Sequence, residues 1–302
     1  VVFVTILFGL IPSFLMVCLG GLVRKLLSEN AWQGLDRLNF EILFPALIFT
    51  AASSRPIALV DVVRIAPAVW GLAVLGLALG YLARRSGPER FVDFAGSWQT
   101  AYRFNTALGF VAVATLPDAP LGMLSVGVGM AIPLVNVFAV TALSRGNGSL
   151  SKTVFKVVTN PFLVASLGGV LVGLSGLHIT DLLMAPVNLL AEAAIPVALL
   201  SIGATMNWRA LAKLNRFSGI IVSTKLLILP LAALLGSLTF QVDPLIAQML
   251  VVFAALPPAS AAHVLAAGFG ADRELAATLV AQATLLAAVT LPVWVTIAAV
   301  TF

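Results

Sequence analysis

Residues 101–109 read Ala-Tyr-Arg-Phe-Asn-Thr-Ala-Leu-Gly, or AYRFNTALG. Arg103 and Asn105 stand inside a run, roughly 92–115, that is otherwise largely apolar. On insertion scales, an arginine at the centre of a bilayer costs about 2.5–3.5 kcal/mol. Such groups persist only where they face protein, water or a ligand. Asn105 bonds readily to nearby backbone and supports non-helical geometry. The stretch therefore predicts a membrane helix that breaks near residue 105.

The rest of the chain fits a membrane setting. Of 302 residues, 61% are hydrophobic and 10% charged, and the mean hydropathy is +1.09. A soluble domain carries about 25% charge. Lipid is therefore the expected solvent for most of the surface. The net charge is +5 and the pI near 9.9. The basic residues are dispersed among connectors rather than gathered on one face, which argues against nucleic acid as a partner. The single cysteine, Cys18, excludes an intramolecular disulfide.

Ten runs are long enough to cross a bilayer: 2–23, 38–54, 62–83, 92–115, 121–143, 154–175, 184–206, 217–238, 246–268 and 276–300. The first lacks a basic leader and a small-x-small cleavage site, so it reads as a span. Thirteen of the 17 Lys and Arg residues fall in one set of connectors, from Arg24 to Arg273. Two, Arg55 and Arg64, fall in the other, and Arg103 and Lys225 lie within spans. This asymmetry places the basic connectors in the cytoplasm and both termini outside.

Span 2 carries Glu41-x-x-x-Pro45, and span 7 carries Glu192-x-x-x-Pro196. Pro12 precedes Gly20 by the interval that separates Pro161 from Gly169. These matches, five spans apart, predict two five-helix repeats, residues 1–144 and 145–302. An odd span count inserts the second repeat upside down, a plan common in secondary transporters. In span 9, Pro257-Pro258 removes two backbone donors in succession and predicts a second break.

Several stretches together resemble the auxin efflux carrier family, which includes plant auxin exporters and bacterial malonate or malate permease-like proteins. They are NFEILFPALIFTA (39–51), YRFNTALGF (102–110), NPFLVASLGG (160–169), AEAAIPVALLSIGATM (191–206) and the run from Leu256 to Trp294. The resemblance covers nearly the whole chain, although Phe104 stands where bacterial members usually carry a small residue. It implies an all-α polytopic fold like that of bile-acid symporters and sodium/proton antiporters. Spans 1, 2, 6 and 7 would form a scaffold. Spans 3–5 and 8–10 would form a mobile bundle, with helices 4 and 9 broken and crossing. It further implies an elevator-like motion and a homodimer through the scaffold.

Candidate substrate-binding residues are Asn105, Arg103, Thr106, Gln99, Pro257, Pro258, Ser260, His263 and Gln282. Arg103 either attracts an organic anion or caps carbonyls at the break, and Asn105 either contacts ligand or supports the break. Lys225 is a substrate countercharge, a stand-in for a coupling cation, or a partner of an acid such as Glu192. His263 is either titratable at the site or a satisfied interior histidine. Glu192 and Glu41 read chiefly as scaffold charges.

Enzyme readings fail on inventory. There are two histidines, no HExxH, no phosphate-binding loop and no Cys/His cluster for a metal. The leading expectation is a carrier of a small organic anion, a mono- or dicarboxylate or an auxin-like acid, in a bacterial inner membrane. The alternatives are a cation/proton antiporter of the same fold and a ligand-binding membrane sensor. No cofactor is expected, and the coupling ion, H+ or Na+, stays open.

Overall fold

A computed structural model describes residues 2–53, 59–144, 159, 161–175, 177, 179–259 and 262–302. All regular structure among them is helical. In order, the α-helices are α1 (Val2–Val23), α2 (Glu29–Leu38), α3 (Phe44–Ser53), α4 (Leu59–Tyr81), α5 (Phe91–Trp98), α6 (Thr106–Ala114) and α7 (Leu121–Ser144). They continue as α8 (Pro161–Ser175), α9 (Asp181–Thr205), α10 (Arg216–Ser223), α11 (Leu229–Thr239), α12 (Pro244–Ala255), α13 (Ala262–Gly268) and α14 (Arg273–Thr301). Among the described residues, five segments are long and apolar enough to cross a membrane: Val62–Ser86, Leu121–Ser144, Asp181–Thr205, Arg216–Thr239 and Arg273–Thr301.

Local chemistry starts these helices. Ser28, Asn215, Asp243 and Asp272 each accept a hydrogen bond from a backbone N–H of the following first turn. Two helices widen instead of ending. π-turns at Asn39–Leu43 and Thr224–Ile228 each finish two residues before a proline, Pro45 and Pro230. Proline lacks the N–H and crowds the carbonyl four residues back, so the helix takes up the mismatch as a wider turn. The first π-turn joins α2 to α3, and the second joins α10 to α11.

The helices pack closely at small residues. α1 lies against α9 through Gly20 and Gly203, where added Cβ atoms would meet the carbonyl oxygens of Leu200 and Val17. α3 lies against α8 at Gly169, beside Ala52 and the Phe49 carbonyl. Without a hydrophobic effect between lipid-facing helices, such close backbone contact is a main source of cohesion. The main core runs from Val17 on α1 through α7 and α12 to Ala298 on α14. It surrounds the ends of α5, α6 and α12, where the candidate site lies.

Candidate functional site

Two helices stop and restart within the bundle. After α5, a short 3-10 turn, Gln99–Ala101, leads into a non-helical stretch, and α6 begins at Thr106. Asn105 sets that start. Its backbone is extended, and its side-chain oxygen accepts from the Leu108 N–H at 3.2 Å. On the other side, α12 ends at Ala255 and Leu256 turns extended. Pro257 and Pro258 offer no N–H to continue the helix. The interruptions meet directly, because the Asn105 N–H donates to the Pro257 carbonyl at 2.8 Å. The rings of Phe104 and Phe253 pack beside this bond, 4.5 Å apart.

Side chains satisfy the exposed ends. Lys225, in the second π-turn and 3% exposed, donates to the Ala254 carbonyl at 3.0 Å in the last turn of α12. A cation there opposes the negative end of the helix dipole. Its partner is thus a carbonyl rather than Glu192, which is exposed on α9. Gln99 is fully buried and donates to the Gly96 carbonyl and to the Ala262 carbonyl, tying the first break to the restart at α13.

Arg103 is held from two sides. One guanidinium nitrogen donates to the Gln99 side-chain oxygen at 2.9 Å, and the other to the side-chain oxygen of Asn136 on α7. Among the described residues, no carboxylate lies within 4.0 Å of it. The guanidinium lines a cavity of about 140 Å³ together with Asn105, Thr106, Asn136 and Ala259. Asp36 and Asn39 also line it, and Phe40, Phe44, Phe104 and Phe162 supply an apolar surface. The Asn39 amide donates to the Ala194 carbonyl at 3.0 Å, and its buried side-chain oxygen has no partner among the described residues. The cavity therefore combines polar groups at the break with an aromatic surface.

A second cavity, about 460 Å³, adjoins the first at Asp36. Arg24, Lys25, Glu29, His263 and Arg273 line it. Across its rim, Arg273 at the start of α14 pairs with Glu29 at the start of α2, 2.9 Å apart.

The remaining candidates lie elsewhere. Pro257 and Pro258 are buried at the crossing itself. His263 lines the basic vestibule. Gln282 is buried and donates to the Ala210 carbonyl at 3.0 Å. Glu41 is exposed. Ser260 lies outside the described residues. Asp36, Asn39, Asn136 and the phenylalanines of the cavity wall were not singled out from sequence. Asn136 carried a usable signal, since it sits midway along the 24-residue apolar helix α7.

Residues 144–295, half of the chain, match the model of a family described as membrane transport protein. The chain belongs to this family, the auxin efflux carriers. Two relatives extend the match to nearly full length. A protein of Rhizobium meliloti named "Putative malonate transporter" is 25% identical over 297 residues, covering 93% of this chain and 92% of that one. An "Uncharacterized transporter" of Methanothermobacter thermautotrophicus is 26% identical over 292 residues, covering 93% and 95%. The paired breaks, the uncompensated Arg103 and the cavity are thus features of a membrane transport protein.

Asn105→Ala removes the cap of α6. It is expected to lower stability by about 0.5–2 kcal/mol, read as a fall in the unfolding temperature of detergent-purified protein. An unchanged unfolding temperature would show that α6 starts without this cap.

Proposed function

We propose that the protein carries a small organic carboxylate across the membrane, bound at the break between α5 and α6. The observation that carries this reading is Arg103, whose guanidinium lines the cavity and, among the described residues, has no carboxylate within 4.0 Å. A cation held this way in low dielectric strongly favours an anion beside it. The N-terminus of α6, whose Thr106 and Ala107 line the same cavity, adds partial positive charge. The phenylalanine wall suits the apolar body of a monocarboxylate, and the name of the Rhizobium relative supports a carboxylate more generally.

In this reading the chain is built of two inverted five-helix repeats, residues 1–144 and 145–302. The basic connectors are cytoplasmic and both termini are outside, in a bacterial inner membrane. The bundle of spans 3–5 and 8–10 moves against a scaffold of spans 1, 2, 6 and 7, through which two copies pair. The vestibule lined by Arg24, Lys25 and Arg273 then opens to the cytoplasm and leads to the cavity past Asp36.

Binding is tested by thermal unfolding in detergent with pyruvate, benzoate and malonate, against the matching neutral amides. A ligand at one hundred times its dissociation constant adds about 2.7 kcal/mol of stability. Carboxylates are expected to raise the unfolding temperature and amides not. Indifference to all three acids would remove the basis for an anion site. Lys225 already places a cation at the end of α12, so sodium has no evident place there. Pyruvate exchange in proteoliposomes is expected to be unchanged when choline replaces sodium. A sodium requirement would assign that position differently.

A further inference from the structure

The cavity holds two charged side chains, Arg103 at the break and Asp36 on α2. They are not paired, since no contact within 4.0 Å joins them. Asp36 instead accepts a hydrogen bond from the Ser201 hydroxyl of α9. With Asp36 ionised, the cavity is already neutral overall. A bound carboxylate would then leave the cavity with one uncompensated negative charge, which a low-dielectric protein environment disfavours. With Asp36 protonated, the cavity carries one positive charge, which a single carboxylate cancels.

We propose that the cavity takes its carboxylate together with a proton, which Asp36 holds. This rests on the carboxylate-carrier reading above. Asp36 sits where such a proton can arrive, because it forms part of the walls of both the cavity and the basic vestibule. It precedes span 2 at the cytoplasmic boundary. There burial raises its carboxyl above the ordinary range, and the Ser201 hydroxyl draws it partly back. The other charged or titratable groups around it are Arg24 and Lys25 at the end of α1, Glu29 and Arg37 on α2, and Glu41 in the π-turn. Glu192 lies on α9, the helix that carries Ser201, and His263 on α13 and Arg273 on α14 line the same vestibule. Among the described residues, Arg103 is the one other charged group lining the inner cavity with Asp36. The arrangement makes the transported unit electroneutral for a monocarboxylate. A dianion would exceed the available positive charge, so malonate would enter better as its monoanion.

The experiment is proton uptake on ligand binding. Benzoate is added to detergent-purified protein in weakly buffered solution near neutral pH, with an indicator dye reporting protons. The wild type is expected to take up about one proton per benzoate bound, and its apparent affinity to fall about tenfold per pH unit above the Asp36 pKa. Asp36→Asn, which keeps an acceptor for Ser201, is expected to bind benzoate with no proton uptake and little pH dependence. His263→Gln is expected to keep the uptake. Benzoate binding to the wild type without proton uptake would overturn the proposal and leave the carrier reading standing. Uptake persisting in Asp36→Asn would overturn it equally, by placing the proton elsewhere. No binding of benzoate, pyruvate or malonate at any pH would remove the carrier reading, and this proposal with it.

Discussion

Replacing Arg103 by glutamine is expected to abolish carboxylate transport while leaving the protein folded. The guanidinium lines the cavity without an ion-pair partner among the described residues. Losing one member of a buried charge pair costs about 2–5 kcal/mol of binding. Even the lower end of that range corresponds to a drop in affinity of about thirtyfold. Stability should move the other way or not at all, because the neutral side chain no longer carries a charge out of water. Arg103→Lys keeps the charge but loses the planar fork that reaches Gln99 and Asn136 together. It is expected to fall between wild type and Arg103→Gln. Equilibrium binding and thermal unfolding, measured on the same preparations, separate these outcomes. Parallel loss of stability and binding in Arg103→Gln would instead make Arg103 a brace for the break.

The second large effect concerns folding. Gly203→Val is expected to destabilise the protein by about 3 kcal/mol or more. A Cβ at position 203 would lie 1.8 Å from the Val17 carbonyl oxygen and 3.0 Å from the Gly21 nitrogen. Both are helix backbone, so nothing flexible can move aside, and α1 and α9 must separate. The same contact seen from α1 puts a Cβ on Gly20 2.1 Å from the Leu200 carbonyl oxygen. Gly219→Ala is the control, because its added Cβ meets nothing within 4 Å. Yield and unfolding temperature in detergent are the readouts. A Gly203→Val protein as stable as the control would mean that α1 and α9 do not approach this closely.

What could be read before the structure depended on whether a residue's cost in lipid announced it. Arg103 and Asn105 were conspicuous because polar groups within an apolar run need a reason, and the helix is interrupted there, restarting at Thr106 after the Asn105 cap. Pro257-Pro258 marked the second stop by missing donors alone. The direct bond between the two stops joins residues 152 positions apart and left no trace in local sequence. Asp36 was not singled out from sequence, since only the fold of α2 against α9 sets it beside Ser201. The phenylalanines of the cavity wall were indistinguishable from lipid-facing ones, because composition does not say which face of a helix looks inward. Gln282 stood out as a polar group in a long apolar helix, yet its amide serves the Ala210 carbonyl. The same signal marks both a site and a structural tie.

A carboxylate that crosses the membrane through the cavity at Arg103 must exchange across it. Counterflow tests this without regard to coupling ion or net charge. Proteoliposomes loaded with unlabelled pyruvate are diluted into a trace of radiolabelled pyruvate, and the internal label is followed. Transient accumulation of label is expected in wild-type vesicles, with competition by benzoate and no accumulation with Arg103→Gln. Label entering no faster than in protein-free liposomes, with malonate and benzoate equally inert, would contradict carboxylate transport through this cavity.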